Sequence, residues 1–335
     1  MAYVVILHLP PDHESRLPEV LQTASTIPVI PVRDAMKLEP DRVYVIPPNR
    51  SVAMADGSVV LSEVTSFEQR RAPIDIFFRT LADTHDSHAV CVVLSGSGSD
   101  GSMGLRRVKE YNGLTLVQDP AEAAFGEMPR SSLATGLVDF VVPVAEMPRR
   151  ILEYRDNLRD LHIPESAAER PPDDEQALME TFTLLRLRTA HDFTNYKRAT
   201  VLRRIQPRMA VREAGSLREY VELLRGERGE AQALLRELLI SVTNFFRDPA
   251  VWERVERHLI PKLVAGKRPD EHLRVRVPGC ATGEAAYTVA MLLAERVPAN
   301  VQIFATDLDE RAVTRARNAS APPTSARSSS TARCG

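Results

Sequence analysis

The sequence predicts an α/β chain in three parts: an N-terminal parallel-sheet domain, an all-helical subdomain, and a partial Rossmann-like domain. Three observations carry this expectation. Short apolar runs without polar alternation fill the chain up to about residue 160, and strands buried on both faces of a parallel sheet read that way. From Glu175 to about Lys267 the apolar residues recur at helical spacing. After that, a strand, a glycine loop, a helix and a second strand follow in order, which is how a nucleotide-type fold begins.

Taken in order, Tyr3–Leu7, Val43–Ile46, Val59–Leu61, Ala89–Leu94, Leu114–Val117 and Val138–Val142 read as strands. Pro73–Thr84 and Gly101–Tyr111 have helical spacing between them, and Met147–Leu161 reads as a closing helix. These elements make up a first domain, residues 1–160. Pro164–Asp174 combines proline, alanine and charge with no apolar period, so a linker is expected over 161–174. The helical part spans 175–267. Within it Ser216 and Glu219 form a capping box ahead of Tyr220, Val221 and Leu224. Pro207 inside a helical run is expected to cost a hydrogen bond and kink the helix. Asp248 before Pro249 reads as an N-cap with a first-turn proline, opening a helix from Trp252 to Leu263. The last unit, 268–318, reads as strand Leu273–Val277, loop Gly279–Gly283, helix Glu284–Glu295, strand Val301–Ala305 and helix Glu310–Arg317. Residues 319–335 are mostly Ser, Ala, Thr, Arg and Pro and read as a disordered tail.

Composition narrows the function classes. A net charge of -2 argues against a wholesale nucleic-acid binder. The three cysteines, Cys91, Cys280 and Cys334, show no CxxC spacing, which fits a reducing, cytoplasmic setting and offers no metal site. No apolar run approaches a membrane span and no signal peptide is legible.

Two constellations carry chemistry. His8 directly follows the first strand, and Asp100 lies in the loop Ser95-Gly96-Ser97-Gly98-Ser99-Asp100-Gly101 after Ala89–Leu94. Both sit just beyond the carboxyl ends of parallel strands, where such folds place their sites. A carboxylate that orients an imidazole and stabilises its protonated form is the arrangement of a catalytic base. The alternative is a plain helix cap at Asp100 and a strand-end histidine. The second constellation is Thr243-Asn244-Phe245-Phe246-Arg247-Asp248, then Gly279 to Glu284, then Asp307 after the second strand. Glycines at 279 and 283 permit close backbone approach to a ligand at a helix N-terminus, a carboxylate at Asp307 can accept ribose hydroxyls, and Arg247 offers a fork for a ligand carboxylate. Core packing at Phe245 and Phe246, and a salt bridge at Arg247, are the alternatives.

The words around these residues add a resemblance. LSGSGSDGSMGLRRVKEYNGLTLVQDPAEAAFGEMPRSSLATGLVDFVVP, LHLPPDHES around His8 and RVYVIPPN around Tyr44 closely resemble the CheB family of chemotaxis protein-glutamate methylesterases. That resemblance implies hydrolysis of glutamyl methyl esters by a serine, a histidine and an aspartate. By motif the last two are His8 and Asp100, with Gly126–Arg130 near the site. Ser97 departs from the Met or Thr usual in the family. No Gly-x-Ser-x-Gly occurs in the sequence, and without such a turn efficient ester hydrolysis is not expected.

HDFTNYKRATVLRRI, LLISVTNFFRDPAVWE, VRVPGCATGEAAYTVAMLLAE and IFATDLDERAVTRAR resemble the CheR family of receptor methyltransferases, which use S-adenosylmethionine. Thr243, Arg247, Glu284 and Asp307 are the donor-binding residues this resemblance implies, with Ala285 standing where a second glutamate is usual. Only two strands of that domain are read before the tail, so this activity too is expected to be impaired and donor binding unmeasurable. Residues 185–212 carry Arg186, Arg188, Lys197, Arg198, Arg203, Arg204, Arg208 and Arg212 against Asp192. This stretch reads as a solvated helix face or, by the resemblance, as the surface that meets the acidic coiled coil of a methyl-accepting receptor.

Overall fold

The computed structural model describes residues 1–7, 16–65, 72–161, 163–164, 171–240, 243–265, 271–294 and 300–318. The chain forms two compact units, Met1–Ile240 and Ser241–Gly335. His8, residues 162 and 165–170 of the expected linker, and the tail at 319–335 lie outside the described residues.

The first unit opens with strand β1 (Ala2–Val5), helix α1 (Leu17–Ala24), β2 (Val29–Pro31), β3 (Met36–Lys37), β4 (Arg42–Val45), β5 (Arg50–Ala55) and β6 (Ser58–Glu63). It continues through α2 (Pro73–His85), β7 (Val90–Val93), α3 (Ser102–Glu110), β8 (Leu114–Gln118), α4 (Glu127–Ala134), β9 (Phe140–Val142) and α5 (Met147–Asp160). Two three-stranded parallel sheets result, ordered β1-β4-β2 and β7-β8-β9. The registers Val4↔Tyr44 and Val92↔Leu116 bring the predicted apolar runs side by side.

Val59–Leu61 departs from the parallel-sheet expectation. β6 is the middle strand of an antiparallel sheet, β3-β6-β5. Ala55 pairs with Ser58, and the two residues between them, Asp56 and Gly57, have φ of 47° and 72°. Positive φ at both central positions is what a tight hairpin turn requires, and Asp-Gly supplies it.

The helical part of this unit is α6 (Pro172–Thr189), α7 (Arg198–Val211), α8 (Leu217–Gly226) and α9 (Arg228–Leu238). Phe182, Leu202, Ile205, Tyr220, Val221 and Leu234 form its core. The capping box forms: Ser216 Oγ accepts the Glu219 amide at 3.2 Å, and Glu219 Oε2 accepts the Gly215 amide at 2.8 Å. α7 runs through Pro207, whose ring is buried. Contact is continuous across the expected linker. Leu114, Leu116, Val142, Met147 and Tyr154 of the sheet layer share one apolar cluster with Ala210 and Val211 of α7.

The second unit begins at residue 241 rather than after residue 267. It contains α10 (Pro249–Arg254), a π-helical turn (Val255–Leu259), α11 (Ile260–Val264), β10 (His272–Pro278), α12 (Glu284–Ala294), β11 (Asn300–Thr306) and α13 (Glu310–Asn318). β10 and β11 pair in parallel, with Val275 opposite Ile303. Asp248 precedes α10, but its side chain makes no capping hydrogen bond. Its φ of 57° points the residue away from the geometry a side-chain cap needs.

Candidate functional site

Asp100 ends the glycine-rich loop after β7 and is only 7% exposed. Its Oδ1 accepts the amides of Asp75 and Gly101, each at 2.9 Å, and its Oδ2 accepts the amide of Ile74 at 3.0 Å. Ile74 and Asp75 lie in the first turn of α2, where amides have no partner within the helix. Asp100 therefore caps a helix distant in sequence, and the carboxylate sits at that helix's positive end. The helix that follows Asp100 has no side-chain cap at its Gly101 N-cap, so the cap raised by the sequence falls on α2 instead, with the adjacent Gly101 amide as a further partner.

The arrangement is reciprocal. Asp75 Oδ1 accepts the amide of Gly104, in the first turn of α3, at 2.6 Å. Gly104 permits the close approach, because a Cβ there would lie 2.6 Å from Phe78 Cβ and 2.8 Å from the Asp75 carbonyl. Burial pushes the Asp75 carboxyl above its usual range, the Gly104 amide opposes this, and the neighbouring Asp100 adds to it. Asp75 was missed in the sequence, although Pro73 at the helix start marks the first turn it occupies.

The other wall of the loop is Gly126–Arg130, expected near Asp100, together with Phe125 before it. Gly96 and Gly126 form a parallel bridge, Gly96 N donates to the Phe125 carbonyl at 2.9 Å, and Met128 N donates to the Gly96 carbonyl at 3.0 Å. Glu127 Oε2 accepts the Gly98 amide at 2.8 Å. Ser95 is committed to the scaffold, since its Oγ accepts the Phe125 amide at 2.9 Å. The Phe125 backbone is thus held from both sides while its ring stands 64% exposed at the rim.

In the second unit, Glu284 and Asp307 flank one loop. Asp307 Oδ2 accepts the Ala281 amide at 2.7 Å, and its Oδ1 accepts the Asp309 amide at 2.9 Å. Thr282 Oγ1 donates to both carboxylate oxygens of Glu284, at 2.8 and 2.6 Å. Gly279, Ala281 and Gly283 have φ of 67°, 47° and 101°, so the loop folds back sharply after β10. A non-glycine residue at such an angle stores about 1 kcal/mol of strain, which functional loops commonly hold. Among the described residues, nothing beyond its chain neighbours lies within 4 Å of where a Gly279 Cβ would stand.

The turn holding Thr243 and Arg247 is fastened to the same helix. Phe246 N donates to Thr288 Oγ1 at 3.3 Å, and that hydroxyl donates to the Glu284 carbonyl at 2.7 Å. Phe246 packs in the core with Trp252 and Val289, whereas Phe245 is 41% exposed. The core-packing alternative therefore describes one of the two phenylalanines. Asp307 thus stands as an anchored carboxylate at the second strand end, beside a loop whose backbone folds back sharply.

The basic stretch is largely spent inside its own unit. Arg204 and Arg208 turn inward, onto the Lys109 carbonyl and Glu230 respectively. Arg188 donates to the carbonyls of Leu224, Arg225 and Glu227, and Arg212 pairs with Glu227 at 2.6 Å. Arg204 and Arg208 therefore do not form the solvated or receptor-facing stripe expected of them, whereas Arg188 and Arg212 stay partly exposed.

Comparison with known families decides the lineage. The family model for the CheB methylesterase matches residues 1–151, that for the all-alpha domain of CheR methyltransferase residues 176–239, and that for the CheR SAM-binding domain residues 241–333. The chain joins a CheB methylesterase domain to CheR methyltransferase domains. The two CheR matches part at residue 240, where the compact units also part. An uncharacterized 104.1 kDa protein of Rhodobacter capsulatus is 38% identical over 322 residues, covering 87% of this chain and 33% of that protein. A protein-glutamate methylesterase/protein-glutamine glutaminase of Photorhabdus laumondii is 31% identical over 155 residues, covering 45% of this chain and 44% of that protein. The chain thus spans less than half the length of either relative. The crystal structure of the Thermotoga maritima CheB methylesterase catalytic domain is 28% identical, with a TM-score of 0.41, over 45% of this chain and 82% of that one. Among the described residues, no helix is long and apolar enough to cross a membrane.

Proposed function

We propose that this CheB–CheR chain modifies glutamyl side chains of chemotaxis receptors, its first half removing methyl esters and its second half adding them. For the first half, one observation carries the reading: Asp100 is a buried carboxylate held by three backbone amides at the mouth of a parallel sheet. Such a group is rigid, as a partner that orients an imidazole must be. In this reading Asp100 orients His8, and His8 takes a proton from water as its oxygen attacks the ester carbonyl. Breaking the acyl–oxygen bond with return of that proton releases methanol and leaves the glutamate carboxylate. Phe125, held at the rim, contacts the receptor segment beside the ester.

For the second half, Thr243, Arg247, Glu284 and Asp307 hold S-adenosylmethionine, with Asp307 on the ribose hydroxyls and Arg247 on the donor's carboxylate. Bound donor supplies a methyl group on sulfonium for transfer to a glutamate oxygen. Calorimetry with S-adenosylmethionine tests this directly. Saturable binding that is lost in Asp307→Ala supports it, and no heat with a folded protein opposes it.

A second reading is receptor engagement without ester hydrolysis. The lack of any Gly-x-Ser-x-Gly in the sequence favours it, because a nucleophile on a strained turn is the efficient route. Methanol release from a methylated receptor fragment separates the two readings.

A further inference from the structure

Helix α3 is gripped at both ends. Its first turn is locked to α2 by the exchange between Asp100 and Asp75 described above. Its last turn carries Lys109, whose side chain is 1% exposed and whose ammonium lies 3.0 Å from Asp139 Oδ1 and 2.8 Å from Glu237 Oε1. Asp139 belongs to the sheet layer, and its Oδ2 accepts the amide and hydroxyl of Thr115, both at 2.9 Å. Glu237 belongs to the last turn of α9, in the helical subdomain.

The network runs on through that subdomain. Arg208 Nη1 stands 3.7 Å from Asp139, and the Arg208 fork grips Glu230 at 3.0 and 2.7 Å. The Tyr220 hydroxyl donates to Glu230 at 2.8 Å. Arg204 closes the end of α3, donating to the Lys109 carbonyl and to Asn112 Oδ1, both at 2.9 Å. Burial alone lowers the affinity of the Lys109 ammonium for its proton, but Asp139 and Glu237 outweigh it and hold the pKa above the usual lysine value. Buried ion pairs of this kind contribute little net stability. What they impose is one geometry, because any displacement strands a charge away from water.

We propose that Lys109 is a positioning residue through which the helical subdomain sets the placement of the Asp100 loop. α3 is a rod about 13 Å long at its nine residues, short enough to pass a shift at Lys109 to Asp100 without bending. A load on the helical subdomain, such as a bound receptor helix, is thereby felt at the esterase-type site. The coupling stands on the geometry alone, and only its consequence for ester chemistry rests on the reading proposed above.

Lys109→Met would strand two buried carboxylates and endanger the fold, so Arg204→Ala and Glu237→Gln make the better test. Amide hydrogen exchange of the full chain is followed at Ile74, Asp75, Gly101 and Gly104, with Val43 and Ile46 of the β1-β4-β2 sheet as controls. Exchange at the four capped amides should quicken about tenfold, within the range of ordinary energetic coupling, while the controls hold. Arg204→Lys, which keeps a donor, should restore most of the protection. The proposal fails if the capped amides keep wild-type exchange while α7 loosens, or if the control amides loosen equally. Because the readout needs no substrate, it is independent of whether the chain hydrolyses esters.

Discussion

Asp100 and Asp75 cap each other's helices: Asp100 Oδ1 accepts the Asp75 amide at 2.9 Å, and Asp75 Oδ1 accepts the Gly104 amide at 2.6 Å. The loop between β7 and α3 is fixed by this exchange before any substrate arrives. A site whose polar groups are already aimed loses little on reorganisation.

Asp100→Ala removes the acceptor of three buried amides. The expected cost is about 3 kcal/mol, the loss of a helix cap plus unsatisfied donors. Asp100→Asn keeps one acceptor oxygen and should cost about half as much, with its amide group facing the Ile74 N–H. Urea unfolding monitored for the first unit checks both, and equal stability of the two variants would refute the three-amide account.

Two glycines of the same loop region separate packing from backbone freedom. Gly104→Ala drives a Cβ into Phe78 and the Asp75 backbone and should destabilise by about 2 kcal/mol. Gly98 has φ of 86° with open space around it, so Gly98→Ala should cost about 1 kcal/mol through the backbone alone. Thermal melts of the two variants should rank in that order.

The first unit should be sensitive to alkali. Lys109 has its pKa raised, with Asp139 and Glu237 overcoming the effect of burial. Tyr154 and Tyr220 are raised too, by burial first and then by carboxylates. A group raised on folding contributes stability in full below its unfolded value, and loses it as pH rises through the folded value. All three therefore act in one direction. Burial raises the Cys91 thiol as well, so stability should hold up to about pH 9, where a free thiol titrates first, and decline above it as lysine and tyrosine follow. Chemical denaturation from pH 8 to 11 reads this, and stability rising over that range would refute it.

In the second unit, Asp307→Ala should free the Ala281 amide and loosen the 279–283 loop, and Asp307→Asn should retain part of that order. Amide exchange at Ala281 and Asp309 checks the structural half of this prediction, with about tenfold faster exchange expected in the alanine variant. Unchanged exchange would show that the loop is held by other contacts.

Much of this was legible in the sequence because it is local. Apolar runs gave the strands, and Ser216 with Glu219 marked a helix start that the hydrogen bonds bear out. The Asp56-Gly57 turn is equally local, and it is this turn that makes the sheet containing Val59 antiparallel. What no window can reveal is the link between Lys109 and Glu237, or between Arg204 and Asn112, since those partners lie far apart along the chain. The arginines of 185–212 looked like a surface stripe for the same reason. The buried partners of Arg204 and Arg208 are contributed by other helices and by the sheet layer. The family words located Asp100, but the three amides that hold it come from the fold.

The most direct measurement of the central claim is methanol release from a methyl-esterified receptor fragment, with the wild-type chain set beside a folded Asp100→Asn variant. The account predicts release above the buffer rate for the wild type and loss of that excess in the variant. Equal release from the two proteins, or none from the wild type, would contradict it.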